Sequence, residues 1–288
     1  MRPEIDSAGR AAVGATALGV ALFSLMDGAM KTLALEVGVF SALLWRAAFL
    51  IPFGAILYLR SKPQKPSAEA MKLHTLRGLL SLVMALLFFW GLTQIPIAQA
   101  TGLSFIAPII ALWLSTLLLD ERPHRNAYLG AALALSGIII MLNEELRNAQ
   151  PSSVLGALAV LVSAGLYGYN LILQRQQALV AAPLEISFIQ TSITAVFLLL
   201  GSLYFKVEPL DPELIVYAAI AAALALGALI CFSWAYRRAP ASRLVNMEYS
   251  AFVWAALIGW IFFKEPLSTE TVMGTILIVA GCFIAART

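Results

Sequence analysis

The chain has 288 residues, 61% of them hydrophobic and only 12% charged, against about 45–50% apolar and about 25% charged in a soluble domain. Nineteen basic and sixteen acidic side chains cannot cover a soluble surface of 31.0 kDa, so the composition excludes a cytosolic enzyme, a disordered tail and a secreted disulfide scaffold. The net charge of +3 is small, and where the charges fall matters more. The chain reads as an all-α polytopic membrane protein.

A spanning helix needs about 20 apolar residues to cross a hydrocarbon core about 30 Å thick. Ten segments meet that need, at 11–30, 38–59, 74–94, 97–119, 125–143, 154–173, 184–205, 213–236, 242–263 and 268–286. The first is preceded by Arg2 and Arg10, but it is longer than a signal-peptide core and Glu4 and Asp6 lie in its flank, so it is expected to be retained. One of its faces carries Gly19, Phe23, Met26 and Met30. The second holds Arg46 about 12 Å deep, where a charge costs about 2.5–3.5 kcal/mol. Arg46 should therefore turn inward, toward Asp27 or a substrate carboxylate.

Arg60–Lys72 is the longest connection, and Trp90 near the end of the third span suits an interfacial anchor, as does Trp234. The fourth span presents Gly102, Phe105 and Ile109, and Pro108 should kink it. In the sixth, Ser163, Tyr167, Asn170 and Gln174 recur at i, i+4, i+7 and i+11 as one polar stripe. The ninth groups Asn246, Tyr249 and Val253, with Glu248 about 9 Å inside and Arg243 as a nearby partner. Ser268 is placed to cap the last helix.

With the N-terminus inside, fourteen Lys and Arg fall on inner segments and four on outer ones. The positive-inside rule then puts both termini in the cytoplasm. Sliding the chain by 144 residues aligns Trp90 with Trp234, Pro96 with Pro240, Ala107 with Ala251, Glu121 with Glu265, Gly130 with Gly274 and Gly137 with Gly281. The chain thus divides into five-helix repeats at 1–144 and 145–288. An odd number of spans per repeat makes the two insert upside down relative to one another. Inverted repeats are a recurring plan of secondary transporters, with the substrate site near the midplane.

The repeat ends LDERPHRNAYLGAALALSGIIIM (119–141) and FKEPLSTETVMGTILIVAGCFIA (263–285) each hold a loop Glu and two glycines about two turns apart. The glycines should let helices approach closely, and Glu121 and Glu265 should position a helix entry. With the openings Pro96–Ala98 and Pro240–Ser242, these ends resemble the drug/metabolite transporter superfamily and its EamA-type family. The resemblance covers the whole chain, and length and layout are similar to those of an aromatic amino-acid exporter of that family. It implies a basket of ten helices in two inverted halves enclosing a central cavity, in the inner membrane, that exports amino acids or similar small metabolites by alternating access. Pro108 departs from its mate Phe252, so the halves need not bend alike.

The candidate substrate contacts are Phe23, Met26, Phe105, Tyr167, Asn170, Asn246 and Tyr249, with Arg46 and Glu248 as candidate charge contacts. An aromatic, Met and amide lining suits uncharged or zwitterionic molecules with apolar groups. The competing explanation for each residue is interhelical packing. Asp27 lies too near the outer interface to couple protons well, which favours facilitated or weakly coupled transport. An enzyme is disfavoured: His74 and His124 are isolated and near loops, and neither GxSxG nor Walker A spacing occurs. Cys231 and Cys282 lack CxxC spacing, and no cofactor, metal or nucleic acid is expected. The partners are a small-molecule substrate and the lipid bilayer, with a monomer expected and a dimer as the alternative. A lipid or isoprenoid-phosphate flippase is the nearer rival and would need several basic residues in its cavity.

Overall fold

The computed structural model describes residues 7–61, 65–107, 109–111, 113–114, 125–147, 151–239, 244 and 247–285. Pro108, Glu121, His124, Arg243 and Asn246 lie outside the described residues. Among those described are ten helices: α1 (Ser7–Val37), α2 (Val39–Arg60), α3 (Ala68–Leu92), α4 (Ile97–Ser104), α5 (Arg125–Arg147), α6 (Pro151–Val180), α7 (Pro183–Gly201), α8 (Pro212–Arg238), α9 (Ala251–Phe263) and α10 (Thr269–Ala285). They follow the ten expected segments in order. Six, namely α1, α2, α3, α6, α7 and α8, are long and apolar enough to cross a membrane. The apolar parts of the other four are shorter, at 10–17 residues.

Local chemistry sets the helix boundaries. Between α1 and α2 the chain turns through Gly38 at φ 77, a left-handed conformation open to a residue without Cβ. Pro183 and Pro212 start α7 and α8, where a missing N–H costs nothing. Ser268 caps α10 as expected, its Oγ accepting from Thr271 N–H at 3.0 Å. Glu265, expected to position the entry of the last helix, instead holds the start of α4: its Oε2 accepts from Ile97 N–H at 2.9 Å. Outward faces are apolar, with Ile139, Leu179, Leu199, Trp260 and Phe262 more than half exposed, as lipid contact requires.

Two compact units form, Met1–Leu82 with Leu173–Ala251, and Val83–Ile172 with Phe252–Thr288. Each draws helices from both sequence repeats, and α3 and α6 contribute one part to each unit. In the first unit α1 packs on α8, with a Cβ at Gly19 meeting the Phe232 ring at 3.0 Å and one at Gly227 meeting Leu22 at 3.2 Å. There α2 packs on α7, its repeat mate: Tyr58 stacks on Phe188 at 5.1 Å, and Gly201 lies against Phe40. In the second unit α5 packs on α10, again its mate. A Cβ at Gly137 would meet the Gly274 carbonyl at 2.5 Å, and Gly281 lies against the Gly130 carbonyl.

Seven residues forward on α5 correspond to seven back on α10, so these mates run antiparallel. The α2–α7 contacts run the same way. A repeat whose helices meet their mates head to tail inserts with the opposite orientation, and the contact pattern is that of an inverted repeat. The glycines are where the sequence placed them, removing side chains so that two backbones can touch.

Candidate functional site

In the first unit an aromatic file leads from α1 to the segment before α9. Phe23 on α1 is half-buried and lies 5.5 Å, centroid to centroid, from Phe232 on α8. Phe232 lies 6.2 Å from Tyr236, whose hydroxyl donates to Glu248 at 2.9 Å. Glu248 thus finds a phenol as its partner. The structure joins Phe23 and Glu248 through Phe232 and Tyr236, two residues that sequence reasoning missed although they sit at i, i+4 on α8. Tyr249 follows Glu248 and is half-buried.

Arg46 donates from Nη1 to the Met26 sulfur at 3.3 Å, and its charge acts on Asp27. Met26 is buried; Arg46 and Asp27 are half-buried. Arg46 faces α1 as expected. Arg175, on α6, binds the Tyr236 carbonyl and lies 3.3 Å from that of Ala239. A guanidinium there satisfies the unpaired carbonyls at the end of α8 and complements its dipole. Lys31, assigned to an outer connection, instead lies within α1 and is buried. The reason is helix length, since α1 continues to Val37 rather than ending at Met30.

A second polar group of this unit overturns the view of His74 as isolated. His74 and Gln177 are fully buried, and Arg77 nearly so. His74 Nε2 meets Glu185 Oε1 at 3.1 Å, and Gln177 Nε2 meets His74 Nδ1 at 2.7 Å. Arg77 donates to Gln177 Oε1 and, at 3.0 Å, to Gln174 Oε1. Farther along α3, Ser81 and the Gly78 carbonyl bond Gln190 and Thr194 of α7. His74, Arg77, Gly78 and Ser81 share one helix face, a signal that the scattered spacing of the two histidines hides.

On α6, Ser163, Asn170 and Gln174 of the polar stripe are buried. Ser163 donates to the Met84 carbonyl of α3 at 2.9 Å, so this member serves packing. Asn170 is buried and Tyr167 half-buried. A Cβ at the neighbouring Gly168 would meet the Ala107 carbonyl at 2.9 Å, which brings α6 against the chain just after Phe105. Phe105 is buried at the end of α4. Gln99 Nε2 on α4 and Thr275 Oγ1 on α10 are buried without a protein partner among the described residues, and such atoms are rare.

Among the described residues the helical path turns at matching places in the two repeats. After Ser104 the chain makes a turn at Phe105–Ile106, with Phe105 N–H reaching Gly102 O at 3.2 Å and Ile106 N–H reaching Leu103 O at 3.3 Å, before helical geometry resumes. Met247 and Glu248 are helical, Tyr249 and Ser250 turn, Ser250 N–H bonds Met247 O at 3.1 Å, and α9 begins at Ala251. Phe105 and Tyr249 are 144 residues apart, as are Ile106 and Ser250. Pro108 brings no N–H to the Ser104 carbonyl, yet the other repeat turns at the equivalent step with Phe252 in that place.

The sequence of residues 11–143 and again of residues 154–287 matches the EamA-like transporter family. The chain belongs to that family, whose members are transporters and not enzymes. Among its relatives an uncharacterized protein of Pseudomonas aeruginosa is 30% identical over 264 residues, covering 89% of this chain and 86% of that one. A pseudopaline exporter of the same species is 24% identical, covering 92% of each chain. An S-adenosylmethionine uptake transporter of Rickettsia prowazekii is 24% identical, covering 91% of this chain and 87% of its own. A solved crystal structure shares the fold, with a TM-score of 0.63 at 18% identity over 94% of this chain and 98% of the other. The protein is a multi-pass membrane transporter of the drug/metabolite type that carries a small molecule across a bilayer.

Proposed function

We propose that this transporter exports amino acids, aromatic or neutral, or similar small metabolites, in the manner of the aromatic amino-acid exporter YddG that the layout resembles. The observation that carries the proposal is the pair of matched interruptions at Phe105 and Tyr249. Interrupted helices at corresponding positions of inverted repeats mark where transporters bind substrate, because the freed backbone groups can meet the ligand. Phe105, Tyr249, Phe23, Met26, Tyr167, Asn170 and Asn246 are the proposed contacts, and their aromatic, thioether and amide chemistry suits a zwitterion with an apolar side group. Arg46 and Glu248 are the proposed charge contacts for its ends. The pseudopaline exporter among the relatives supports outward movement; the uptake transporter supports the opposite direction. Asp27 beside Arg46 offsets the charge that an isoprenoid diphosphate would need, which weakens a flippase. A cytoplasmic location of both termini and an inner-membrane location complete the proposal, resting on the asymmetry of Lys and Arg.

The test is transport into proteoliposomes of a labelled panel: phenylalanine, leucine, lysine, a nucleoside and S-adenosylmethionine. Phenylalanine or leucine should accumulate above empty vesicles, and Phe105→Ala or Tyr249→Ala should change the preference among panel members by about tenfold, the scale of one lost apolar contact. Accumulation of S-adenosylmethionine alone would sink the amino-acid assignment.

A further inference from the structure

The buried group at His74 has a hydrogen-bond logic that fixes every proton in it. A guanidinium can only donate, so the atom of Gln177 that faces Arg77 must be the carbonyl oxygen. The amide nitrogen of Gln177 then faces His74 Nδ1, at 2.7 Å. That nitrogen can only donate, so Nδ1 must accept and carries no proton. The ring proton is on Nε2, aimed at Glu185 Oε1 3.1 Å away. His74 is thereby held neutral, and α3, α6 and α7 are tied together by one chain of donors and acceptors.

A second proton on His74 has no place in this chain. Protonated Nδ1 would confront the Gln177 amide N–H, and turning the amide over would confront Arg77 instead. No orientation of the fully buried Gln177 amide suits both Arg77 and an imidazolium. The groups facing the ring from each packed helix reinforce this. Arg77 lies on α3 itself and Glu185 on α7, while Tyr58 of α2 is set beside Glu185. On α6 the charge is Arg175, which is turned away onto the α8 carbonyls. With His74 neutral, Arg77 and Glu185 balance; one more proton leaves a buried net charge.

We propose that His74 is a proton-binding site that latches α6 to α3: the neutral ring holds Gln177, and a proton taken from solvent onto the Nδ1 lone pair releases it. The latch rests on the geometry of one unit, and its use, making the transport cycle respond to pH, rests on the transporter reading above. The imidazole is the side chain whose ordinary range of charging makes such a response accessible between about pH 5 and pH 8.

The chain has two histidines, so imidazole-labelled full-length protein in nanodiscs, with His124→Gln, leaves one set of ring signals for nuclear magnetic resonance. At about pH 8 the ring should be the Nε2–H tautomer. As pH falls, Nδ1 should gain a proton together with a lengthened distance between spin labels at the exposed Glu69 and Leu179. An Nδ1–H tautomer at the higher pH, or protonation with unchanged label distance, would overturn the latch. Gln177→Glu offers only acceptors, so Nδ1 should carry a proton as well as Nε2, an imidazolium between two carboxylates, and the label distance should become independent of pH. His74→Gln should also abolish the pH response, and a response that survives it would count against the proposal. In proteoliposomes, wild-type phenylalanine uptake should change with pH and His74→Gln uptake should not. Absence of wild-type phenylalanine uptake would strike the amino-acid assignment and leave the resonance result to decide the latch.

Discussion

Tyr236 carries three jobs on one residue. Its ring continues the Phe23–Phe232 file, its carbonyl receives Arg175, and its hydroxyl holds Glu248 at 2.9 Å. It is fully buried, so truncating the hydroxyl removes a charge-assisted bond without opening space for water. Tyr236→Phe should cost about 1–2 kcal/mol, read as a fall in Tm of the purified protein. An unchanged Tm would show that Glu248 is held elsewhere. At this scale the sequence was only partly legible. Arg46 turning to α1 followed from the cost of a charge in lipid, because that cost applies to any fold. The bond from Tyr236 to Glu248 did not, because the phenol comes from another helix and nothing in the spacing of the two residues marks them as a pair.

At the scale of elements, the α5–α10 pair rests on small residues. Gly137→Ala would push a Cβ to 2.5 Å from the Gly274 carbonyl, a backbone atom that cannot step aside. The expected cost is about 1–3 kcal/mol, the usual range for overpacking, measured as Tm or as resistance to denaturation in detergent. Gly14→Ala is the control. Nothing lies within 4 Å of its would-be Cβ, so the gain in helix propensity should leave stability unchanged or slightly higher. Equal losses for both would refute the packing role. The glycine spacing predicted this contact because a face of small residues two turns apart has one use in lipid. The turn at Tyr249 was not predictable in the same way. Pro108 announces a break in one repeat, whereas the other repeat breaks without a proline.

Across the whole molecule, α5–α10, α2–α7 and α1–α8 all meet antiparallel, as helices of odd and even order must when successive spans alternate. If all ten helices cross, reporter fusions at the two termini, in intact cells, fall on the same face of the membrane. Opposite faces would mean an odd number of crossings and would undo the orientation drawn from Lys and Arg. The sequence alone determined the solvent, the family, the internal repeat and the faces that had to be small, because these follow from composition and period. It misjudged basic residues near helix ends: Lys31 and Arg77 are buried and Arg175 caps α8, so not every cation in the orientation count faces water. Only the tertiary structure decided that the compact units are drawn from both repeats, that the two interruptions match, and that His74 joins Arg77, Gln177 and Glu185. Those residues lie on three helices and more than 90 positions separate His74 from either partner on α6 and α7. The physical reason is that a buried polar atom must be satisfied by whatever group the fold brings to it, and sequence spacing does not encode that neighbour.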